Sequence, residues 1–279
     1  MVILYLDSSR GISASLVLGA LLDAGADIAL VQRILGTVTL PRIVLMRASE
    51  RAEMVCGTAA SAAIGPIPRG IMLIDAIRAL ENGRVPLAVR TWGGGMLARL
   101  LEAEAMLRGE PLDAVPLADP LTVAELLAVS AALAALHVVR VYAAPVTQSN
   151  EQRTDAFQGS SNTIKDSEPR IASRNQTVGM VEERPFPALS MLLLEEAEWP
   201  VGPDAVVTPG GAAILATLAE PDVPPVCLAA VGYGIAPDAP RLLRCWLGTP
   251  YNTGKMTISP GARTGATAHT HPHTDGDDH

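Results

Sequence analysis

The chain has 279 residues, enough for one large or two small domains with a buried core. Hydrophobic residues make up 49% of it but aromatic residues only 3%, so its core must consist of closely packed alanine, leucine and valine. A net charge of −8, with no basic stripe, argues against nucleic acid as the main partner, because a phosphate backbone is bound by a basic surface.

The first residues predict a strand, a polar loop and a helix. Val2–Leu6 is an apolar run typical of a buried strand, and it ends at Asp7. Apolar residues then recur at helical spacing from Ser13 to Ala24, and Gly25 is a typical helix end. Ligands of α/β folds bind in such loops after a strand, so Asp7 and Ser13 are candidate binding residues. The alternative is that Asp7 only forms hydrogen bonds within its own loop.

The middle of the chain alternates between helices and strands. We interpret Pro41–Cys56 as an irregular strand pair and Gly57–Arg69 as a connector of small residues. Asp119 and Pro120 form a typical helix start, a capping side chain followed by a first-turn proline. The predicted helices are 28–35, 71–82, 96–108 and 120–136, followed by a strand at 138–146 and a helix at 188–198.

The stretch Ala205–Leu218, AVVTPGGAAILATL, combines a short strand with a helix start. Thr208 is a good cap, and Gly210 and Gly211 leave the first helical N–H groups uncovered by side chains. Such a helix start can hold a phosphate or a carboxylate. The default interpretation is nevertheless a tight turn with nothing bound, because glycine-rich turns usually serve geometry. Tyr233 lies in a second glycine-rich stretch, VGYGI, ahead of a last strand at 242–247.

Two polar segments stand apart from the predicted core. Residues 148–178 are rich in Ser, Asn, Gln and Thr and show no periodicity, which predicts a mobile insertion. Residues 249–279 predict a disordered tail, in which His269, His271 and His273 lie close to three aspartates. Imidazoles and carboxylates at this spacing bind Ni²⁺, Zn²⁺ or Cu²⁺ weakly. A solvated tail without a role is the alternative.

The sequence also indicates a cytoplasmic location. Its three cysteines are far apart, form no CxxC pair and follow no signal peptide, as is typical of a reducing compartment. The longest apolar run, residues 121–139, contains Glu125, Ser130 and His137, so it predicts a buried helix leading into a strand and not a membrane span.

Several segments, in the same order, resemble motifs of the LarC nickel-insertion family. DSSRGISASLVLGALLDAG at the start resembles D-C-F-S-G-I-S-G-D-M…L-G-A-L-x-D-x-G, and VVTPGGAAIL resembles L-V-T-P-T-G-A-A-I-L. Weaker matches are AEAMLRG, AALHVVRVYAAPV, PFPALSMLL, VGYGIA and LLRCWLG. Together they cover most of residues 1–248, which we therefore treat as one LarC-like α/β domain of mixed strands and helices.

The resemblance implies a CTP-dependent nickel chelatase, a lyase that places Ni²⁺ into a pyridinium-type mononucleotide of nickel-pincer cofactor biosynthesis. A small anionic nucleotide would then be the substrate. Its binding site would be lined by Asp7, Ser13, Thr208, Gly210, Gly211 and Tyr233. The resemblance does not extend to the tail, whose histidines are candidates to collect the metal because of their spacing and the neighbouring aspartates.

This chain departs from the family pattern at residues that carry chemistry. Ser8 and Ser15 replace a cysteine and an acidic residue of the opening motif. The signature H-x-H-E-x-G-x-x-D falls at Val115–Glu125, where no histidine remains, and Glu125 is the candidate for its last acidic residue. The family also continues into a C-terminal domain.

Three hypotheses follow for the function. The first is a divergent nickel-insertion protein that still handles a nucleotide or a metal. The second is a non-catalytic binding or regulatory homologue that keeps the fold and acts with a complete enzyme or a separately encoded C-terminal domain. A homo-oligomer is a separate expectation for the chain. The third is an unrelated α/β enzyme acting on a small phosphorylated substrate.

Overall fold

The computed structural model describes residues 1–52, 54–68, 70–147, 188–202, 205–223, 226–236 and 241–250. The helices found there are α1 (Ala14–Asp23), α2 (Ile28–Leu35), α3 (Leu73–Asn82), α4 (Leu87–Arg108), α5 (Pro120–Ala135), α6 (Ala188–Glu196) and α7 (Pro209–Leu218). The strands are β1 (Val2–Asp7), β2 (Ile43–Ala52), β3 (Val55–Ile64), β4 (Val138–Ala143), β5 (Ala219–Glu220), β6 (Val226–Ile235) and β7 (Leu242–Pro250).

The strands form one mixed sheet in the order β2-β3-β6-β7-β1-β4-β5. β1 runs parallel to β4, β4 to β5 and β3 to β6, whereas β7 runs antiparallel to both of its neighbours. The predicted α/β class is therefore confirmed.

The described helices pack on one face of this sheet. α1 contacts β3, β6 and β7, and α5 contacts β3 and β4. β7 shows the resulting alternation, since Leu243, Cys245 and Leu247 are buried against the helices. Arg244 and Trp246 point to the opposite face, because successive side chains of a strand point in opposite directions. We call the two sides the helix-covered face and the open face.

Small residues let α1 lie directly on β6. A side-chain carbon at Gly234 would overlap the carbonyl oxygen of Leu16, and one at Gly232 would overlap that of Ala20. The core of alanine, leucine and valine that the composition predicts is confirmed here, because the helix can approach the strand backbone only where side chains are absent.

One predicted connector is wrong. Residues 57–69 do not link two elements, because Val55–Ile64 is strand β3 and pairs along its length with β2 in a regular antiparallel hairpin. The sequence misleads because alanine, glycine and serine have low strand propensity. In β3 these residues have a packing role, since Gly19 of α1 lies against the carbonyl oxygen of Thr58.

Other boundaries shift while the elements remain. α4 begins at Leu87, nine residues before the predicted start at Met96. β7 continues to Pro250, three residues past the predicted strand end at Leu247. The predicted insertion at 148–178 lies outside the described residues, and so does the predicted tail beyond residue 250.

The apolar run at 121–139 forms most of α5 and the start of β4, as predicted. Among the described residues, no helix combines the length and the apolar character needed to cross a membrane.

Candidate functional site

Three helices begin close together at one edge of the sheet. β1 and β4 run in the same direction, so their carboxyl ends meet at this edge. Each of the three helices has a side-chain cap, in which an oxygen accepts the N–H of a residue three positions later. In α1 the Leu16 N–H donates to Ser13 Oγ at 3.2 Å, in α5 the Thr122 N–H donates to Asp119 Oδ1 at 3.1 Å, and in α7 the Gly211 N–H donates to Thr208 Oγ1 at 3.2 Å.

The first turns of these helices meet at Gly210. A side-chain carbon there would lie 3.0 Å from Ala14 Cβ of α1 and 3.3 Å from Thr122 Cγ2 of α5. Because each helix N-terminus carries a partial positive charge, three of them pointing at one edge favour negative charge there. We call this group of helix starts the three-helix junction.

The junction uses its glycines for packing. Gly210 and Gly211 are buried, and a side-chain carbon at Gly211 would overlap the carbonyl oxygen of Ile12. The Gly211 amide, one of the N–H groups predicted to be uncovered, donates to Thr208 Oγ1. This arrangement matches the default interpretation of a tight turn, and anion binding by these amides stays a prediction.

Two carboxylates of α5 share the junction. Burial, together with the negative charge of Asp119, raises the pKa of Glu125 to about 7. Asp119 also lines a small cavity together with Glu104, Thr122 and Pro209. The rest of the cavity wall is largely apolar and includes Leu73, Leu100, Pro116, Leu117, Ala118, Val123 and Leu189.

On the open face, Asp7 is held by two side chains at the carboxyl end of β1. Ser9 Oγ donates to Asp7 Oδ1 at 2.7 Å, and Arg244 Nη2 donates to Asp7 Oδ2 at 2.8 Å. The Arg244 guanidinium lies over the Trp246 ring, 4.7 Å from its centroid, and that ring stacks on Tyr5. The alternative interpretation of Asp7 was hydrogen bonding within its own loop. The bond from Ser9 agrees with it, whereas the bond from Arg244 does not, because Arg244 lies in β7.

Strand pairing places Tyr233 beside these residues. Tyr233 pairs with Arg244, which pairs with Asp7, so all three side chains point to the open face across β6, β7 and β1. We call them the Asp7–Arg244–Tyr233 row. The backbone N–H of Tyr233 donates a hydrogen bond to Asp23 Oδ2 at 2.9 Å. The flanking Gly232 and Gly234 are packing positions, where a side-chain carbon would overlap carbonyl oxygens of α1.

The predicted site residues thus fall into two groups joined by the loop 8–12. Asp7 and Tyr233 belong to the row on the open face, whereas Ser13, Thr208, Gly210 and Gly211 belong to the three-helix junction. Sequence reasoning missed Arg244, the residue that connects Asp7 with Tyr233. The signal was the alternation of Leu243, Cys245 and Leu247 with Arg244 and Trp246, which places the last two on one face.

The metal prediction falls outside the described part of the chain, because His269, His271 and His273 lie beyond residue 250. Within the described ranges, no three His, Cys, Asp or Glu side chains cluster in a way that could hold a metal ion. His137 lies exposed between α5 and β4.

Comparison with known proteins agrees with the resemblance. Residues 4–153 match the family model described as nickel insertion protein. Relatives named for nickel insertion occur in Roseiflexus castenholzii (29% identical over 259 residues), Dictyoglomus thermophilum (24% over 254) and Desulfotalea psychrophila (27% over 260). No solved structure matches the chain.

The matches cover most of this chain but only part of each relative. They extend over 88–89% of this chain and 60–61% of the relatives, so the chain spans about three-fifths of their length. The family model alone matches more than half of the chain. The chain therefore belongs to the nickel insertion protein family.

Proposed function

We propose that this protein acts in nickel insertion and holds an anionic, pyridinium-type mononucleotide at the carboxyl edge of its sheet. The observation that carries this proposal is the meeting of three helix N-termini at Gly210, next to the loop that leads from Asp7. Their partial positive charges favour a phosphate over a neutral ligand. Membership of the family supplies the nickel chemistry.

Nickel is the cargo in this proposal, and the tail collects it. Ni²⁺ prefers imidazole and carboxylate ligands, and His269, His271 and His273 with the neighbouring aspartates supply both types. The proposal also includes the nickel-pincer pathway and the use of CTP. Both are taken from the family resemblance.

Calorimetric titration with Ni²⁺ tests the metal step. The full chain is compared with a variant in which His269, His271 and His273 are alanine, and with a matched variant in which three tail threonines (Thr264, Thr267 and Thr270) are alanine. We expect the histidine variant to lose Ni²⁺ binding and the threonine variant to keep it. Unchanged binding by the histidine variant would contradict the role of the tail.

A second candidate function is a non-catalytic subunit that binds the nucleotide for a partner. It is favoured by the segment 115–125, where the family signature carries histidines and this chain places Pro116, Leu117 and Ala118 against the cavity. The partner would be a complete enzyme or a separately encoded C-terminal domain, and a homo-oligomer is the third arrangement.

Nickel transfer separates the two candidates. The assay follows CTP-dependent appearance of nickel in the mononucleotide, with the purified chain alone and with a full-length relative added. Turnover by the chain alone supports an insertion enzyme. Turnover only with the relative, at a rate that this chain raises, supports the non-catalytic subunit.

A further inference from the structure

We propose that Arg244 is the residue that binds the phosphate of the anionic substrate. The inference deepens the proposed function and rests on it, because it names the group that recognises the charge of that substrate. It also moves the principal anion contact from the amides of the three-helix junction to a side chain on the open face.

The first argument is an unmet hydrogen bond. In the part of the chain that the structure describes, Arg244 Nε is buried and has no acceptor. Arginine has five N–H donors, and a buried donor that belongs to a charged group is costly to leave without a partner. Asp7 does not meet this need, because its contact with Arg244 is made through Nη2. An acceptor is therefore missing from the site, and a phosphate oxygen is of the right kind.

The second argument is preorganisation. The guanidinium is fixed on one side by Asp7, at 2.8 Å, and on one face by the Trp246 ring, 4.7 Å from its centroid. Ser9 in turn orients Asp7 through a 2.7 Å hydrogen bond. An arginine held in one orientation loses less side-chain entropy when it binds a ligand than a free surface arginine does.

The third argument is access. The side chain of Arg244 keeps 41% of its surface exposed, so an anion can reach it from solvent. Nε itself is covered, so an anion bound to the exposed part of the side chain meets Nε only after the side chain shifts. A purely structural arginine of the core would be enclosed. The ring of Tyr233 projects from the neighbouring strand on the same face, and its hydroxyl is a further donor for an oxyanion.

The same features explain why Asp7 does not repel the substrate. Its carboxylate is paired with Arg244 and Ser9, so its charge is offset within the row. Arg244 is the only member of the row with N–H groups to spare. Asp7 and Trp246 are positioning residues in this arrangement, and Arg244 makes the contact.

The test is calorimetric titration of the full chain with two probes, nicotinic acid mononucleotide and inorganic phosphate. The variants are Arg244→Gln, which removes the charge, and Arg244→Lys, which keeps the charge without the planar fork. The matched control is Arg140→Gln, since Arg140 lies exposed on the same face in β4 and its loss changes the net charge equally. Circular dichroism melting confirms that each variant is folded.

We expect Arg244→Gln to weaken mononucleotide binding about 10- to 100-fold, Arg244→Lys to give an intermediate loss and Arg140→Gln to change it less than about twofold. If the protein binds the mononucleotide and neither Arg244 variant changes the affinity, the inference is overturned and the proposed function stands. If phosphate binds through Arg244 but the mononucleotide binds no better, the inference stands and the proposed function fails. If neither probe binds, both are overturned.

Discussion

The two faces of the sheet differ most clearly along β6 and β7, where neighbouring residues have opposite roles. On the helix-covered face, Gly232 and Gly234 have no side chains because α1 lies against their backbone. On the open face, Tyr233, Arg244 and Trp246 carry an aromatic ring, a charge and a second ring on the same strands. The helix-covered face therefore determines the fold, whereas the open face carries the Asp7–Arg244–Tyr233 row at the carboxyl end of β1.

The strongest test of this comparison is the substitution Gly234→Val. Its side chain would overlap Leu16 O and come within 2.8 Å of Ala20 N, both of which are helix backbone atoms that cannot turn aside. We expect a loss of more than about 3 kcal/mol in the free energy of unfolding, measured by urea denaturation. The matched control is Gly94→Ala in α4, where no neighbouring atom lies within 4 Å and the change should be neutral or stabilising by about 0.5–1 kcal/mol. Equal effects at both positions would show that α1 does not pack on β6 as described.

Adjacent residues of β7 sharpen the comparison further. Leu243 is fully buried on the helix-covered face, so Leu243→Ala should lower the free energy of unfolding by about 2–4 kcal/mol. Arg244→Gln should lower it by less than about 1 kcal/mol, because a partly exposed ion pair contributes little. Thermal and urea denaturation of both variants provide the measurement. A larger loss for Arg244→Gln would mean that the arginine is a structural residue.

A smaller effect is expected at the three-helix junction, from the titration of Glu125. Its pKa is raised in the folded state to about 7, so the folded protein holds a proton that the unfolded chain releases at lower pH. The free energy of unfolding should therefore fall as pH rises from about 4.5 to about 7 and then level off. Because the side chain is partly solvated, we expect Glu125→Gln to recover only about 1–2 kcal/mol at pH 8 and to flatten this part of the profile. An unchanged slope in the variant would assign the pH dependence to other groups.

The sequence predicts the local structure of this chain well where periodicity and caps are strong. The caps Asp119 and Thr208 were both predicted from the sequence, because hydroxyl and carboxylate side chains at helix starts have a specific hydrogen-bonding role. β3 was missed because its alanine-rich segment has no strand propensity of its own. It is a strand because β2 and α1 pack against it.

The candidate site was only partly predictable, for a different reason. Asp7 and Tyr233 were chosen from separate motifs, and only strand register shows that Arg244 lies between them. Register between β1 and β7 joins residues 237 positions apart, which no local pattern records. In the same way, whether the amides of Gly210 and Gly211 are exposed depends on which elements pack beside them. α1 and α5 pack beside Gly210, and no local sequence pattern shows this.

The most direct test of the account is a crystal structure of the full chain with nicotinic acid mononucleotide bound. We predict the phosphate within hydrogen-bonding distance of the Arg244 guanidinium, on the open face beside Asp7 and Tyr233. A phosphate bound instead at the start of α7, against Gly210 and away from Arg244, would overturn the assignment of Arg244 and leave the site at the carboxyl edge. A nucleotide bound on a surface remote from the carboxyl edge of the sheet would contradict the account as a whole.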